Sequence, residues 1–214
     1  MKAKEVIHYL DVLKETPKAV YGDWSDGKKN IGGKHRESYF DDYKHHGKIY
    51  QDFYLFEKEE NNIISFVTGL KEKYDVEQKS GIAELVWIYN IGKLNCEVSY
   101  INTGYKNLVE ARDLVILKEY QRRGLATALY KFIVNNLNYT IMSDDTQYNG
   151  SRLLWNVLSE ELDMQVDIVD VNTEEVLEKN IILKHGKEPK DINKKYWSDD
   201  SSKINIRFIL TRIL

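Results

Sequence analysis

Apolar residues along the 214-residue chain recur mainly with the period of strands after residue 50. Short apolar or alternating runs predict strands over residues 52–57, 63–70, 82–89, 94–100, 114–117, 139–143, 166–171 and 204–211. Apolar residues at helical spacing predict one helix from Leu125 and another over residues 149–160. The predicted core face of the second helix holds Leu153, Leu154, Val157 and Leu158. The sequence therefore predicts an α/β protein.

Three polar stretches are predicted to connect the early strands. Glu59-Glu60-Asn61-Asn62 has the composition of a hairpin turn. The charged residues 71–80 predict a loop, and residues 90–93, which include Gly92, predict a turn. These connections divide the region before residue 100 into four short strands.

Two segments lie outside this pattern. Residues 1–50 begin with a predicted short helix, with Val6, Leu10 and Leu13 at helical spacing. Residues 172–203 form a long charged insert before the last strand. Connections of this length tend to be functional or disordered. Both segments are therefore candidates for substrate contact.

Composition and charge narrow the class of protein. Residues 51–214 suffice for one domain with its own core, preceded by an extension over residues 1–50. The 31 basic and 34 acidic residues give a net charge of −3, so no overall positive charge favours nucleic acid or an anionic membrane. No apolar stretch approaches the ~18 residues of a membrane span, and the N-terminus lacks the apolar core of a signal peptide. We therefore expect a cytoplasmic protein with neither a membrane nor a nucleic-acid partner.

Cysteine and histidine do not form a recognisable metal pattern. The single cysteine, Cys96, excludes an internal disulfide and a multi-cysteine zinc site, and its alternating surroundings predict a buried strand residue. The candidate histidines are His35, His45 and His46. Adjacent histidines point apart on a strand or a helix, and no acid-rich cluster lies near them in sequence. We therefore interpret the three histidines as residues of a solvated loop and predict no metal site.

A Gly-, Lys- and His-rich stretch over residues 22–47 contains a near match to a phosphate-binding loop. In Gly22-Asp-Trp-Ser-Asp-Gly-Lys-Lys29, Lys29 replaces the Ser or Thr that would hold magnesium. No strand is predicted before it, and Gly32-Gly33 would break the helix that should follow. We interpret this near match, residues 22–29, as a polar loop.

The most informative segment is the strand, basic turn and helix over residues 113–132. Gln121-Arg122-Arg123-Gly124-Leu125-Ala126 follows a buried strand and opens the first helix. The start of a helix exposes unpaired N–H groups and the positive end of its dipole, so this turn can hold an anion. Gly124 lets a phosphate approach the backbone, and small Ala126 and Thr127 keep the first turn open. The two arginines add positive charge.

This hexapeptide matches the (Gln/Arg)-x-x-Gly-x-(Gly/Ala) pyrophosphate loop of the GNAT N-acetyltransferases, with the flanking strand and helix of that family. About residues 50–214 resemble a GNAT domain. The resemblance implies the order β-β-β-β-α-β-α-β-β and a mixed sheet, flanked by helices, that splays near residues 113–118 and 139–143. Acetyl-CoA, as co-substrate, would occupy the split. Its expected contacts are Ile116, Leu117, Lys118, Gln121, Arg122, Arg123, Gly124, Leu125, Ala126, Thr127 and Trp155.

The implied reaction moves an acetyl group from acetyl-CoA to an amine of a protein or small molecule. A lysine-like amine, with a pKa near ~10.4, arrives mostly protonated. A carboxylate must therefore remove a proton before the amine attacks the thioester carbonyl. Backbone N–H groups around residues 116–118 would stabilise the oxyanion.

Three carboxylates are candidates for this base. Some GNAT lysine acetyltransferases carry a catalytic Glu eleven residues before the Gln that opens the loop, and Glu110 has this spacing from Gln121. An equally supported interpretation is that Glu110 merely begins the strand at its exposed end. Asp113 has the opposite side-chain parity, so only one of these two can face the thioester. Glu84 is the third candidate, since an acid buried in an apolar run would have a raised pKa.

The sequence departs from the family at the acid. Many GNATs carry a Tyr late in the helix after the fifth strand, against the CoA sulfur, and Trp155 aligns with that position. An indole N–H cannot act as an acid at neutral pH. Either Tyr148 or water would protonate the thiolate, or the protein binds CoA with weak catalysis.

The chain also resembles, more loosely, small acetyltransferases of tailed bacteriophages. The shared features are Ile141-Met-Ser143-Asp144, Gly150, Leu154-Trp155, Trp197 and Arg207-Phe-Ile-Leu. This resemblance implies that Trp155 is normal for the subgroup and that Ser143 and Asp144 contact substrate at the mouth of the split. A helix cap or turn is the alternative for these two residues.

Three functions follow as hypotheses. The first is an active N-acetyltransferase, and the second is a catalytically weak or inactive CoA-binding interaction or regulatory protein, for instance phage-encoded. The third, modification of aminoacyl-tRNA, is disfavoured by the acidic balance. The sequence determines neither the acceptor amine nor the oligomeric state.

Overall fold

The structure of the protein, a computed structural model, describes residues 34–78, 81–145, 149–183 and 205–213. Within these residues the chain forms a mixed β-sheet and two α-helices, which confirms the α/β class. The ten described strands are β1 (Lys34–Arg36), β2 (Lys44–Tyr50), β3 (Phe53–Glu60), β4 (Ile63–Gln78), β5 (Gly81–Val98), β6 (Leu108–Ile116), β7 (Thr140–Met142), β8 (Met164–Asp170), β9 (Glu175–Glu178) and β10 (Ile206–Arg212). The described helices are α1 (Leu125–Asn135) and α2 (Asn149–Glu160).

The chain divides into two compact units. The first comprises Met1–Cys96 and Asp113–Leu125, and the second comprises Glu97–Arg112 and Ala126–Leu214. The two described helices have 11 and 12 residues, and neither is long and apolar enough to cross a bilayer.

In the first unit, β2, β3, β4 and β5 neighbour one another in that order, and β1 pairs antiparallel with β5. The predicted hairpin is confirmed: β3 and β4 pair with Phe53 opposite Leu70. Its turn is Asn61-Asn62, with φ of 52° and 64°. Two consecutive residues at positive φ match the twist of the flanking strands, and asparagine adopts this conformation more readily than most residues.

Two predicted connections in this unit are wrong. Residues 71–78 continue β4 instead of forming a loop, because backbone groups make the hydrogen bonds of a strand and a charged run does not end one. The predicted turn at residues 90–93 lies inside the unbroken strand β5. Gly92 permits a close approach instead, since a Cβ there would lie 2.8 Å from Oγ1 of Thr68 and 3.1 Å from the carbonyl oxygen of Val115.

The long segments are described only in part. Residues 44–50, at the end of the N-terminal extension, form β2, which pairs antiparallel with β3. The insert begins with β9, an antiparallel partner of β8. The predicted N-terminal helix, the near match to a phosphate loop and residues 184–203 of the insert lie outside the described residues.

In the second unit the strand order is β6-β7-β10-β8-β9. β6 and β7 are parallel, with Leu108 opposite Thr140 and Glu110 opposite Met142. β10 lies between β7 and β8 and is antiparallel to both. Residues 207–210 of β10 are all buried, so this strand is covered on both faces.

Both predicted helices are confirmed, but the predicted core face of α2 is partly wrong. Leu154 and Leu158 are buried, whereas Leu153 is 53% exposed and Trp155 only 1% exposed. The hydrophobic positions alone do not fix the rotation of a short helix. Packing in this unit selects the large indole for the core in place of Leu153.

Candidate functional site

The predicted strand, basic turn and helix are confirmed. β6 ends at Ile116, a 3₁₀ turn spans Lys118–Tyr120, and α1 begins at Leu125. Between them, Arg122 and Gly124 have positive φ of 57° and 80°. Gly124 adopts this backbone without strain because it has no Cβ. The motif glycine is therefore required by the geometry of the turn itself.

Side chains of the first unit fix the turn. The Gln121 side-chain N–H donates to the carbonyl of Ile116 at 2.8 Å. Tyr120 is buried, with its ring edge-on to Phe53 at a centroid distance of 5.8 Å. The guanidinium of Arg123 lies over the Tyr120 ring, 5.5 Å from its centroid. Both ends of the turn are thus anchored.

The outer surface of the turn is open and basic. Arg122, Arg123 and Gly124 are exposed. Tyr50 of β2 borders it, since a Cβ on Gly124 would lie 3.5 Å from the Tyr50 hydroxyl oxygen. The Tyr50 ring stacks on Phe53 at 6.2 Å between centroids. Two guanidinium groups and a phenol therefore surround exposed backbone at the start of a helix.

The other expected acetyl-CoA contacts differ in exposure. Ile116, Leu117 and Leu125 are buried. Ala126 and Thr127 are half-buried, and Lys118 is exposed.

The backbone after β6 has two edges with different partners. The Leu117 N–H donates to the carbonyl of Ile91 in β5 at 2.9 Å. Successive backbone groups of an extended chain point to opposite edges, so the N–H and C=O of Ile116 point away from β5. The bond from Gln121 to the Ile116 carbonyl agrees with this orientation. The backbone N–H of Leu117 therefore cannot serve as an oxyanion donor. Backbone N–H groups that point to the same edge as that of Ile116 remain candidates.

A charged network in the second unit is centred on Arg112. Its Nε and Nη2 contact Oε2 of Glu97 at 3.0 and 2.9 Å. Its Nη1 lies 3.0 Å from Oε1 of Glu110 and 3.3 Å from Oδ1 of Asp144. Oδ1 of Asp144 also accepts the backbone N–H of Asp145 at 2.7 Å. One guanidinium thus joins carboxylates from β5, β6 and the segment after β7.

Burial sets the protonation of this network. The Glu110 side chain is 14% exposed, and burial raises its pKa against the opposing charges of Arg112 and Arg207. Burial also raises the pKa of Asp144 to about 7, helped by the side chain of Asp145 and opposed by the backbone N–H of Asp145 and by Arg112. Asp144 therefore keeps its proton to a higher pH than an ordinary aspartate does.

The remaining candidates for acid or base lie elsewhere. Asp113 belongs to the first unit; burial lowers the pKa of Lys93 there, and the charge of Asp113 opposes that shift. Glu84 lies on β5, but its side chain is outside the described part of the chain. Tyr148 is also outside the described residues.

Trp155 and Ser143 both take part in the core of the second unit. The Trp155 ring is edge-on to Tyr130 at 6.2 Å and tilted against Phe208 at 5.7 Å. Oγ of Ser143 accepts the backbone N–H of Phe208 at 3.1 Å, and the Ser143 N–H donates to the Phe208 carbonyl at 2.8 Å. Ser143 thus extends the pairing of β7 with β10.

The predicted solvated loop is wrong for His45 and His46, which lie on β2 because this segment pairs with β3, and both side chains have partners. Nε2 of His45 hydrogen-bonds to the carbonyl of Phe40 at 3.0 Å, and Nε2 of His46 lies 2.5 Å from Oε2 of Glu57. Cys96 is confirmed as a buried strand residue, and burial raises the pKa of its thiol. Among the described residues, no group of three or more His, Cys, Asp or Glu could hold a metal ion.

The predictions from sequence leave out two residues of these sites, Arg112 and Tyr50. Arg112 lies two residues after Glu110, and strand alternation puts both on one face, which is the signal that could identify it. Tyr50 gives no such signal, because its contact with Gly124 joins distant parts of the sequence.

Comparison of the chain with protein-family models, curated proteins and solved structures gives no significant match. The resemblance to GNAT acetyltransferases therefore rests on the residues of the turn and on their structural context.

Proposed function

We propose that the protein is an acetyl-CoA-dependent N-acetyltransferase that moves an acetyl group to an amine of a protein or small molecule. One observation carries the proposal: the GNAT-like hexapeptide forms an exposed turn, with Gly124 at a φ of 80°, directly before an 11-residue helix. Gly124 adopts this backbone without strain, and the exposed start of a helix can hold an anion.

The start of α1 would bind the pyrophosphate of acetyl-CoA. N–H groups in the first turn of a helix lack partners within the helix, and the dipole concentrates positive charge there. Gly124 leaves access to these groups, and exposed Arg122 and Arg123 add charge beside them. Tyr50 adds a hydroxyl group at the same turn.

The end of β6 would hold the thioester. The pairing of β6 with β7 ends where Glu110 lies opposite Met142, and β6 continues to Ile116. The splayed sheet implied by the GNAT resemblance would open along this continuation. The backbone N–H of Ile116, and others that point to the same edge away from β5, would stabilise the oxyanion.

The network around Arg112 suits a cationic acceptor. Its described members are the carboxylates of Glu97, Glu110, Asp144 and Asp145 and the guanidinium groups of Arg112 and Arg207. The carboxylates outnumber the guanidinium groups, so the charge of the network favours binding of an ammonium group. A carboxylate there would remove the proton that blocks attack by the amine.

A CoA-binding protein with weak or no catalysis is the second candidate, and Trp155 favours it. The indole is buried beside Tyr130 and Phe208. It supplies no acidic proton at neutral pH, so thiolate protonation would depend on Tyr148 or water.

Calorimetry with acetyl-CoA tests the binding step. Gly124→Glu should abolish binding, because a carboxylate at the turn would repel the pyrophosphate and occupy its space. Gly104→Glu is the matched control, since Gly104 has a φ of 81° with nothing within 4 Å of an added Cβ. Unchanged affinity in the Gly124 variant would contradict the assignment of the pyrophosphate loop.

Release of free CoA thiol tests the reaction. Acetyl-CoA and a panel of lysine peptides, polyamines and arylamines would be supplied to the wild-type protein. Thiol release that depends on one of these amines, together with its mass increase by one acetyl group, is the expected result. Binding of acetyl-CoA without transfer to any amine would favour the second candidate.

A further inference from the structure

Glu110 and Asp144 share one guanidinium nitrogen, and their surroundings assign them different roles. We propose that Asp144 takes the proton from the acceptor amine, while Arg112 is a positioning residue that pairs with Glu110 and orients Asp144. The inference rests on the proposed acetyltransferase function. It goes further by identifying the proton acceptor as a residue that the motif spacing does not select.

The contacts separate the two carboxylates. Nη1 of Arg112 lies 3.0 Å from Glu110 and 3.3 Å from Asp144. Glu110 and Arg112 lie on one face of β6, so their ion pair is set by the strand itself. Asp144 lies after β7, and its Oδ1 is oriented by both Arg112 and the backbone N–H of Asp145. Glu110 is thus the fixed ion partner of Arg112, and Asp144 is the carboxylate oriented by it.

Strand register places Asp144 ahead of Glu110. The pairing of β6 with β7 ends with Glu110 opposite Met142, and Arg112 and Asp144 each follow that pair by two residues. Asp144 therefore comes after Glu110 in the shared direction of the two parallel strands, and its carboxylate contacts Nη1 of Arg112.

Exposure and charge favour Asp144 as the proton carrier. Its side chain is 25% exposed against 14% for Glu110, so it has the better route for passing a proton to water. Burial brings its pKa to about 7, and a general base works best when it titrates near the operating pH. The charged groups facing Asp144 are Arg112 of β6 and Asp145, and those facing Glu110 are Arg112, Arg207 of β10, Asp145 and Glu97 of β5.

The transfer of the acetyl group from the thioester to the amine conserves protons and electrons. The Asp144 carboxylate takes one proton from the ammonium group, and the freed lone pair forms the C–N bond. The C–S bond then breaks with its electron pair on sulfur. The remaining extra proton on nitrogen goes through water to the thiolate, giving the amide and free thiol. Asp144 returns its proton to solvent.

Carbon-13 NMR of aspartate carboxyl groups tests the protonation of Asp144 without substrate. Its signal, identified by its loss in Asp144→Asn, should titrate near pH 7. Arg112→Gln should move this transition to higher pH because a positive neighbour is lost, whereas Arg112→Lys should restore it. Asp163 is the internal control: burial there is outweighed by hydrogen bonds to Lys131 and Asn135, which lower its pKa. Titration of Asp144 below pH 5 would overturn the proposal.

The pH profile of kcat/KM tests the catalytic role. The wild type should lose activity as pH falls through 7, and Asp144→Asn should lose ~10²–10⁴-fold at neutral pH together with this dependence. Glu110→Gln should lose less activity and should keep the pH dependence of the wild type. Arg112→Gln should shift the dependence upward, and Asp163→Asn should match the wild type.

The outcomes separate this inference from the function on which it rests. An active wild type with an unchanged profile in Asp144→Asn would overturn the role of Asp144 and leave the acetyltransferase function standing. A wild type that binds acetyl-CoA but acetylates no amine would overturn both.

Discussion

The side chain of Gln121 donates to the backbone carbonyl of Ile116 at 2.8 Å and so ties the start of the basic turn to the end of β6. The GNAT loop that this turn resembles accepts Gln or Arg at the corresponding position, and both carry N–H donors. Either residue can therefore satisfy the carbonyl. Gln121 closes the turn, and Arg122, Arg123 and Gly124 after it are exposed.

Gln121→Leu should weaken acetyl-CoA binding by roughly five- to tenfold, since the loss of one neutral hydrogen bond costs about 1 kcal/mol. Gln121→Arg, which keeps a donor, should bind within about twofold of the wild type on the same scale. Calorimetry on the three proteins checks this. Equal affinities for the Leu variant and the wild type would show that the bond does not shape the binding turn.

Trp155→Ala should destabilise the second unit by ~3–5 kcal/mol, because it removes a large buried ring. Trp155→Phe should retain most of the wild-type activity, and Trp155→Tyr should gain little. Chemical denaturation and thiol release provide the two measurements. A large rate increase in the Tyr variant would mean that the wild type lacks an acid it can use, which favours the weakly catalytic candidate.

Asp144→Asn should stabilise the protein at alkaline pH. Burial raises the pKa of Asp144 in the folded state to about 7, above the ordinary value of an unfolded aspartate, so the folded state binds this proton more tightly. The protonated Asp144 therefore contributes to the stability of the wild type near pH 4, and this contribution is lost as the pH rises through about 7. Asn cannot ionise, so the variant should be more stable at pH 8 by on the order of 1–3 kcal/mol.

Urea denaturation at pH 4 and pH 8 measures this difference, which should be close to zero at pH 4. Asp163→Asn should have the opposite sign, since hydrogen bonds to Lys131 and Asn135 outweigh burial and lower the pKa of Asp163. An Asp144 variant that is less stable than the wild type at pH 8 would contradict the buried, raised-pKa environment.

Gly92→Ala should destabilise the first unit by ~1–3 kcal/mol through overpacking. The new methyl would lie 2.8 Å from Oγ1 of Thr68 and 3.1 Å from the carbonyl oxygen of Val115. Adding Thr68→Ala should recover part of the loss, because it removes the closer atom. Denaturation midpoints of the single and double variants check this, and no recovery would mean that the Val115 carbonyl dominates.

Local determinants explain which elements can be predicted from the sequence. The Asn61-Asn62 turn, the alternation around Cys96 and the helix after Gly124 each depend on residues adjacent in the chain. The continuity of β5 through Gly92 depends on Thr68 and Val115, which are distant in sequence. A glycine among polar residues therefore predicts a turn, although here it serves a close approach between strands.

The same distinction applies to the candidate site. The basic turn is predictable because its glycine, arginines and helix start are contiguous in sequence. The Arg112 network is not, since it joins Glu97, Glu110 and Asp144 through strand register that no local pattern encodes. Spacing from the motif therefore selects Glu110, whereas the raised pKa of Asp144 becomes apparent only from its surroundings.

The position of β10 has a consequence during translation. This strand fills the space between β7 and β8, although both are synthesised before it. Until residues 206–212 have left the ribosome, the nascent chain carries two unpaired strand edges that can pair with neighbouring chains. Slow or stalled translation within the preceding insert should therefore increase aggregation and the demand for chaperones that bind nascent polypeptides.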